Sequence, residues 1–238
     1  MIKTNLGIEY TYTLAKAYTQ LHANAFELPL LKTMLAGHVA IDVGCGSGRL
    51  LVPLQQLGFC VYGVEASEEM FDACLDAGGC DVHNVSAPSV AFYSLVEEIK
   101  PTLCYLSFSL HQIAPEIENQ YHFLKELLRN SSVLLITTLA DYFEVNPTTR
   151  YSQRMTEIDK KRFPTREWFY SNFDVAYSVD MLVDSPSIRE QFVSGIESNH
   201  ISTFQLLNDK NKALDIAAKA KASGYLPQVH SYIYLNKE

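Results

Sequence analysis

The chain has 238 residues, 47% of them hydrophobic, with 19 Lys and Arg against 27 Asp and Glu and a net charge of −8. That length supports one sizeable core, or one core with an appended lid, and the acidic balance without a polybasic run argues against non-specific nucleic-acid binding. No stretch of about 18 apolar residues could span a membrane, the first residues lack a signal peptide's apolar core, and five scattered cysteines with no zinc-type spacing point to reducing cytosol and no metal.

Taken in order, residues 1–36 read as an amino-terminal helical cap, with breaks near Asn24 and Pro29. A strand over 38–43 comes next, then a helix over 47–57 that Gly58 stops. Pro53 falls near that helix's first turns, where it can kink the chain. A second strand ends at Glu65 and is followed by a helix over 67–76, with Ser67 as its N-cap. Residues 81–85 form a weak third strand, 90–99 a helix, 103–108 a fourth strand, 116–129 a helix and 132–139 an almost wholly apolar fifth strand. Apolar strands alternating with helices predict a doubly wound, mostly parallel sheet covered on both faces.

After residue 140 the alternation stops. Residues 141–163 are polar and Arg-rich, 164–173 read as helix, and 173–183 and 229–235 as the sixth and seventh strands. The connection over 184–228, helical at 211–223, is long for a sheet end and reads as a lid or pocket wall, or as a plain structural cap. The whole is expected to be one domain, with a cofactor-binding core over 37–140 and a variable substrate side over 141–238.

The chemistry concentrates in Asp42-Val43-Gly44-Cys45-Gly46-Ser47-Gly48. Glycines permit positive φ and let a ligand approach bare backbone. A helix starting directly after them would turn free N–H groups toward that ligand. The dinucleotide fingerprint requires a glycine at position 49, which is Arg49. Asp42 would repel a pyrophosphate and suits a cation, which points away from NAD. Glu65 lies 19 residues after Gly46, about where doubly wound folds place the acid that accepts ribose hydroxyls.

These two segments resemble the motifs of the class I S-adenosylmethionine-dependent methyltransferases: Asp42–Gly48 their first, Glu65-Ala66-Ser67-x-x-Met70 their second. The resemblance implies a Rossmann-like seven-stranded fold with amino-terminal helices and a helical insertion before the last strand. It also implies S-adenosylmethionine as cofactor and S-adenosylhomocysteine as product. Asp42, Gly44, Cys45, Gly46, Glu65, Ala66 and Met70 would bind the cofactor. Ser107 would run beside its methionine part, and Tyr18, from the Tyr10, Tyr12 and Tyr18 group, would reach its carboxylate. Many relatives carry an Asp after the third strand for adenine. Here the segment is Asn84-Val85-Ser86-Ala87-Pro88, so Ser86 or the backbone at Ala87 takes that place.

His111, after the fourth strand, is the candidate general base, since imidazole exchanges protons near neutral pH. Packing at the pocket wall is its other reading. The Asn/Asp-Pro-Pro-aromatic motif of DNA amino-methyltransferases is absent there. Arg150, Arg154, Arg162, Arg166 and Arg189 would select an acidic substrate if they enter the pocket, or are solvated surface charge. The expected activity is methyl transfer to a small molecule, with no nucleic-acid or membrane partner. The alternatives are a methyltransferase of protein or peptide side chains, and a cofactor-binding relative that transfers no methyl.

Overall fold

The structure, a computed structural model, describes residues 11, 15, 16, 18, 27–139, 152–183, 206, 207, 209–223 and 228–237. In chain order the elements are α1 (Glu27–Leu35), β1 (Ala40–Val43), α2 (Leu51–Gln56), β2 (Val61–Glu65), α3 (Glu68–Asp76), β3 (Val82–Asn84), α4 (Val90–Ile99), β4 (Leu103–Ser107), α5 (Leu110–Ile113), α6 (Ile117–Asn130), β5 (Val133–Thr138), α7 (Gln153–Lys160), α8 (Arg166–Asn172), β6 (Val175–Val183), α9 (Lys210–Ser223) and β7 (Gln228–Asn236). The seven strands form one mixed sheet in the order β3-β2-β1-β4-β5-β7-β6. The β1–β2, β1–β4, β2–β3 and β4–β5 pairs are parallel. Among the described residues no helix is long and apolar enough to cross a membrane.

The local chemistry explains these elements. All four residues of β1 are buried, as a central parallel strand requires. The Ser67 hydroxyl caps α3 by accepting from the Met70 amide, with Glu68 and Glu69 in the first turn near the positive helix end. The Ser89 hydroxyl caps α4 in the same way. In α6, Gln120, Phe123, Leu124, Leu127 and Leu128 fall at helical spacing and are all buried. Truncating a buried leucine of such a face costs about 2–5 kcal/mol.

Three local expectations need correction. The helix after the glycine turn starts at Leu51 rather than 47, because the three glycines and Ser47 form turn. Pro53 is therefore its third residue, in the first turn, where a missing N–H is tolerated. A one-turn helix, α5, follows β4, and α7 occupies part of the polar, Arg-rich stretch over 141–163, for which the sequence indicated no element. The helix α7 buries only Met155 and Asp159, too narrow a stripe to stand out as a pattern.

Two compact units emerge from the contacts. The first comprises 1–138, 172–178 and 232–238, and holds the parallel strands and the glycine turn. The second comprises 139–171 and 179–231. Within it, Met155, Phe163, Phe169, Leu207, Ala213, Ile216, Ala217 and Val229 are buried. Much of 184–228, the expected lid or wall, lies outside the described residues, as do Tyr10, Tyr12, Arg150 and Arg189.

Candidate active site

Strand order reverses between β1 and β4, since β2 and β3 lie to one side and β5 to the other. Ligands of open α/β sheets sit beyond the carboxyl ends of the strands at such a point. Those ends bring Asp42–Gly44 beside Ser107–His111. Asp42 is in register with Gly63 of β2 and Tyr105 of β4. The Ser109 hydroxyl donates to the Val43 carbonyl at 2.5 Å, tying the two strand ends.

The glycine turn is shaped for close approach. Gly44 has φ +79°, and a Cβ on it would lie 2.6 Å from Ser109 Cβ, so no larger residue fits. Gly46 has φ +56°, and a Cβ there would meet nothing within 4 Å. Its backbone is an open cradle.

The turn differs from expectation in its amides. The Gly44 and Cys45 amides donate to Val64 O at 2.8 and 3.0 Å, and the Gly48 amide to Cys45 O at 3.0 Å. The Gly46 amide donates to Glu65 Oε2 at 2.9 Å. These donors are engaged within the protein, and the turn offers a ligand shape and negative charge instead of a nest of N–H groups.

Glu65 holds two loops together. While Oε2 accepts from Gly46, Oε1 accepts from the Ser67 amide at 2.8 Å. Its backbone carbonyl accepts from Asn84 Nδ2 at 3.0 Å, which draws in the end of β3. Burial pushes the Glu65 carboxyl upward, against the pull of the Ser67, Gly46 and Ala66 amides. Each carboxylate oxygen has two lone pairs, so capacity remains beyond these bonds.

Asp42 is 2% exposed. Burial pushes its pKa up to about 8, against the Tyr105 hydroxyl and Arg49, while Glu27 and Glu65 add to the rise. Between its ordinary value near 3.8 and about 8, the native protein keeps a proton that the unfolded chain has lost. Stability therefore falls as pH rises through that window. Asp42→Asn keeps the shape and removes the titration. Calorimetry from pH 5 to 9 should show a flatter decline and a higher Tm at pH 8 than in the wild type. Equal slopes in both proteins would contradict the assignment.

Other residues singled out from sequence fall as follows. Tyr18 packs on a cluster of Ala15, Met70 and Ala73, and burial raises its phenol to about 12. Met70 is thus buried in the first turn of α3. Cys45 is buried beneath the turn, its thiol raised by the Cys74 thiol and by burial. Ala66 and Ser86 are half-buried, and Ala87 is buried. His111 is 6% exposed within α5. Phe108, between Ser107 and Ser109, has φ +54°, an uncommon conformation for a non-glycine residue and one that clusters at functional sites. In the second unit, Arg162 pairs with buried Asp159 at 2.9 Å. Arg166 pairs with Asp180, which also accepts from the Ser231 hydroxyl at 2.8 Å. Arg154 is exposed.

Sequence reasoning missed Glu27. It is 1% exposed, and its Oε2 accepts from Arg49 Nη1 at 2.8 Å. Its only sequence signal is an acid at the head of an apolar helix.

Residues 41–131 match the family model described as a methyltransferase domain. No curated protein matches the chain. Among solved structures, a putative methyltransferase from an antibiotic biosynthesis pathway of Anabaena variabilis is 16% identical. That match covers 90% of this chain and 98% of the other, with a TM-score of 0.66. YjhP from E. coli is 15% identical over 94% and 98% of the two chains, at a TM-score of 0.59. The [4+2]-cyclase SpnF is 13% identical over 87% and 80%, at 0.57. The fold is the Rossmann-like one of class I methyltransferases. Over residues 41–131, less than half of its length, the chain is similar to a methyltransferase domain, as its motifs imply.

Proposed function

We propose that the protein is an S-adenosylmethionine-dependent methyltransferase acting on a small-molecule acceptor, releasing S-adenosylhomocysteine. One observation carries this reading: the open backbone cradle at Gly46 lies against the Glu65 carboxylate, while the nearby Arg49 guanidinium is already paired with buried Glu27. With Arg49 held by Glu27, the cradle has, among the described residues, a carboxylate and no unpaired guanidinium to meet a ligand, which suits hydroxyls and a cationic nucleotide-like group and disfavours a pyrophosphate.

The residues divide the work along the strand ends. Glu65 keeps lone pairs for ribose hydroxyls, beside Ala66 and Met70. Ser86 and Ala87, after β3, flank the adenine end. Asp42, which keeps its proton near neutral pH in the free protein, releases it when a cation settles beside it, and Gly44, Cys45 and Gly46 act by leaving room. Tyr18 and Ser107 serve the methionine end. When bound, the sulfonium supplies an already activated methyl group. The chain's main task is then alignment of the acceptor, which can contribute several kcal/mol. His111 takes the proton from a hydroxyl or amine acceptor. Arg162 and Arg166 carry Asp partners, so neither is an unpaired cation for an acidic substrate. The five free thiols suit a reducing cytosol.

Incubation with methyl-labelled cofactor and panels of small phenols, amines and acids should move label into a small molecule. Label confined to peptides would contradict the acceptor class. Tight binding with no label transferred to any panel would favour the non-methylating alternative, for which the fold likeness to a cyclase speaks.

A further inference from the structure

Glu27, Arg49 and Ser107 form a closed hydrogen-bonded triangle. Arg49 Nη1 donates to Glu27 Oε2 at 2.8 Å, and Nη2 donates to Ser107 Oγ at 2.8 Å. The Ser107 hydroxyl lies 2.5 Å from Glu27 Oε1. The three residues are separated by 22, 58 and 80 positions in the chain, and they join α1, the glycine turn and the end of β4.

Proton accounting gives the triangle a direction. A guanidinium has donors only, so it cannot receive the Ser107 proton. That proton goes to Glu27. The hydroxyl has two lone pairs, and Arg49 occupies one. Ser107 is half-buried at the switch point, and its second lone pair has no partner among the described residues. A serine on its own would rotate and donate as readily as accept. Here rotation is blocked from both sides, and the hydroxyl is left as an acceptor with one vacancy.

We propose that Glu27 and Arg49 are positioning residues that fix the Ser107 hydroxyl as a pure acceptor for an N–H of the ammonium at the cofactor's amino-acid end. The inference rests on the proposed cofactor. It adds that the amino-terminal helix is read at the site through Glu27, and that Arg49, the residue replacing the dinucleotide glycine, orients a neighbour. A carboxylate acceptor makes the Ser107 oxygen more electron-rich than a neutral partner would, which strengthens a bond from a cation.

Two ligands separate this role from mere support of the fold. S-adenosylhomocysteine carries the ammonium, and 5′-methylthioadenosine shares the adenosine and thioether without it. Titration calorimetry on the full chain should show Ser107→Ala losing about tenfold in affinity for the first and less than twofold for the second. Ser107→Thr, which keeps the hydroxyl, should restore most of the loss. Glu27→Gln should show the same selective loss to a lesser degree. If that variant fails to fold, as loss of one buried charge partner can cause, the two Ser107 variants still decide. Equal losses for both ligands in Ser107→Ala, or no loss for either, would overturn the inference while leaving the cofactor reading intact. Failure of the wild-type protein to bind either compound would overturn both.

Discussion

His111→Ala should lower turnover by about 10²–10⁴, the usual worth of a positioned general base, while leaving cofactor affinity nearly unchanged. The expectation comes from placement. His111 sits in α5, four residues past the end of β4, where the switch point brings the chain against the glycine turn. It is buried at 6% exposure, which shields it from bulk water. His111→Gln should be no better than Ala, because an amide does not take up the proton. The acid limb of the pH–rate profile should vanish in both variants. Recovery of activity in the Gln variant would instead assign His111 to orienting the acceptor by a hydrogen bond. Wild-type turnover in both would show that alignment alone drives transfer.

The second large effect is expected at Glu65. Its two carboxylate oxygens each accept a backbone amide, Gly46 from the turn and Ser67 from the head of α3. Glu65→Ala removes both acceptors, and an orphaned buried amide costs about 1–3 kcal/mol. At about 2–4 °C per kcal/mol for a chain of this size, Tm should fall by about 5 °C or more. Loss of the ribose partner should weaken S-adenosylhomocysteine binding at least tenfold. Glu65→Asp should retain part of both functions, since the charge remains but the reach shortens. Binding unchanged in the Ala variant, with Tm alone reduced, would make Glu65 a structural clasp and remove it from the site.

Legibility of the site in the sequence tracks how local its parts are. The strand ending in Asp42, the glycine spacing and the acid at Glu65 are read from short windows, and the fold places them at one switch point. Ser67 is legible as a cap because a helix cap is a three-residue event. The first five strands follow from apolar runs alternating with helices, and their boundaries move by only a few residues; β6 and β7 come after the alternation stops and are read from their own β-forming residues. The Glu27–Arg49–Ser107 triangle is different. Its members lie 22 to 80 residues apart, and no periodicity or composition marks Glu27 as buried. The engagement of the turn amides is likewise invisible, because it depends on Val64 and Glu65 of the neighbouring strand. The partner of Arg166 is similar: the Asp180 pairing joins α8 to β6, and nothing in the sequence around Arg166 announces it.

This switch point should accept a sulfur-bearing adenosine ligand and reject a dinucleotide. A thermal melt of the intact protein tests it most directly. S-adenosylmethionine or S-adenosylhomocysteine at 100 times its dissociation constant adds about 2.7 kcal/mol, so Tm should rise by about 5–10 °C, and NAD should leave it unchanged. A rise with NAD and none with either sulfur compound would instead make the switch point a dinucleotide site.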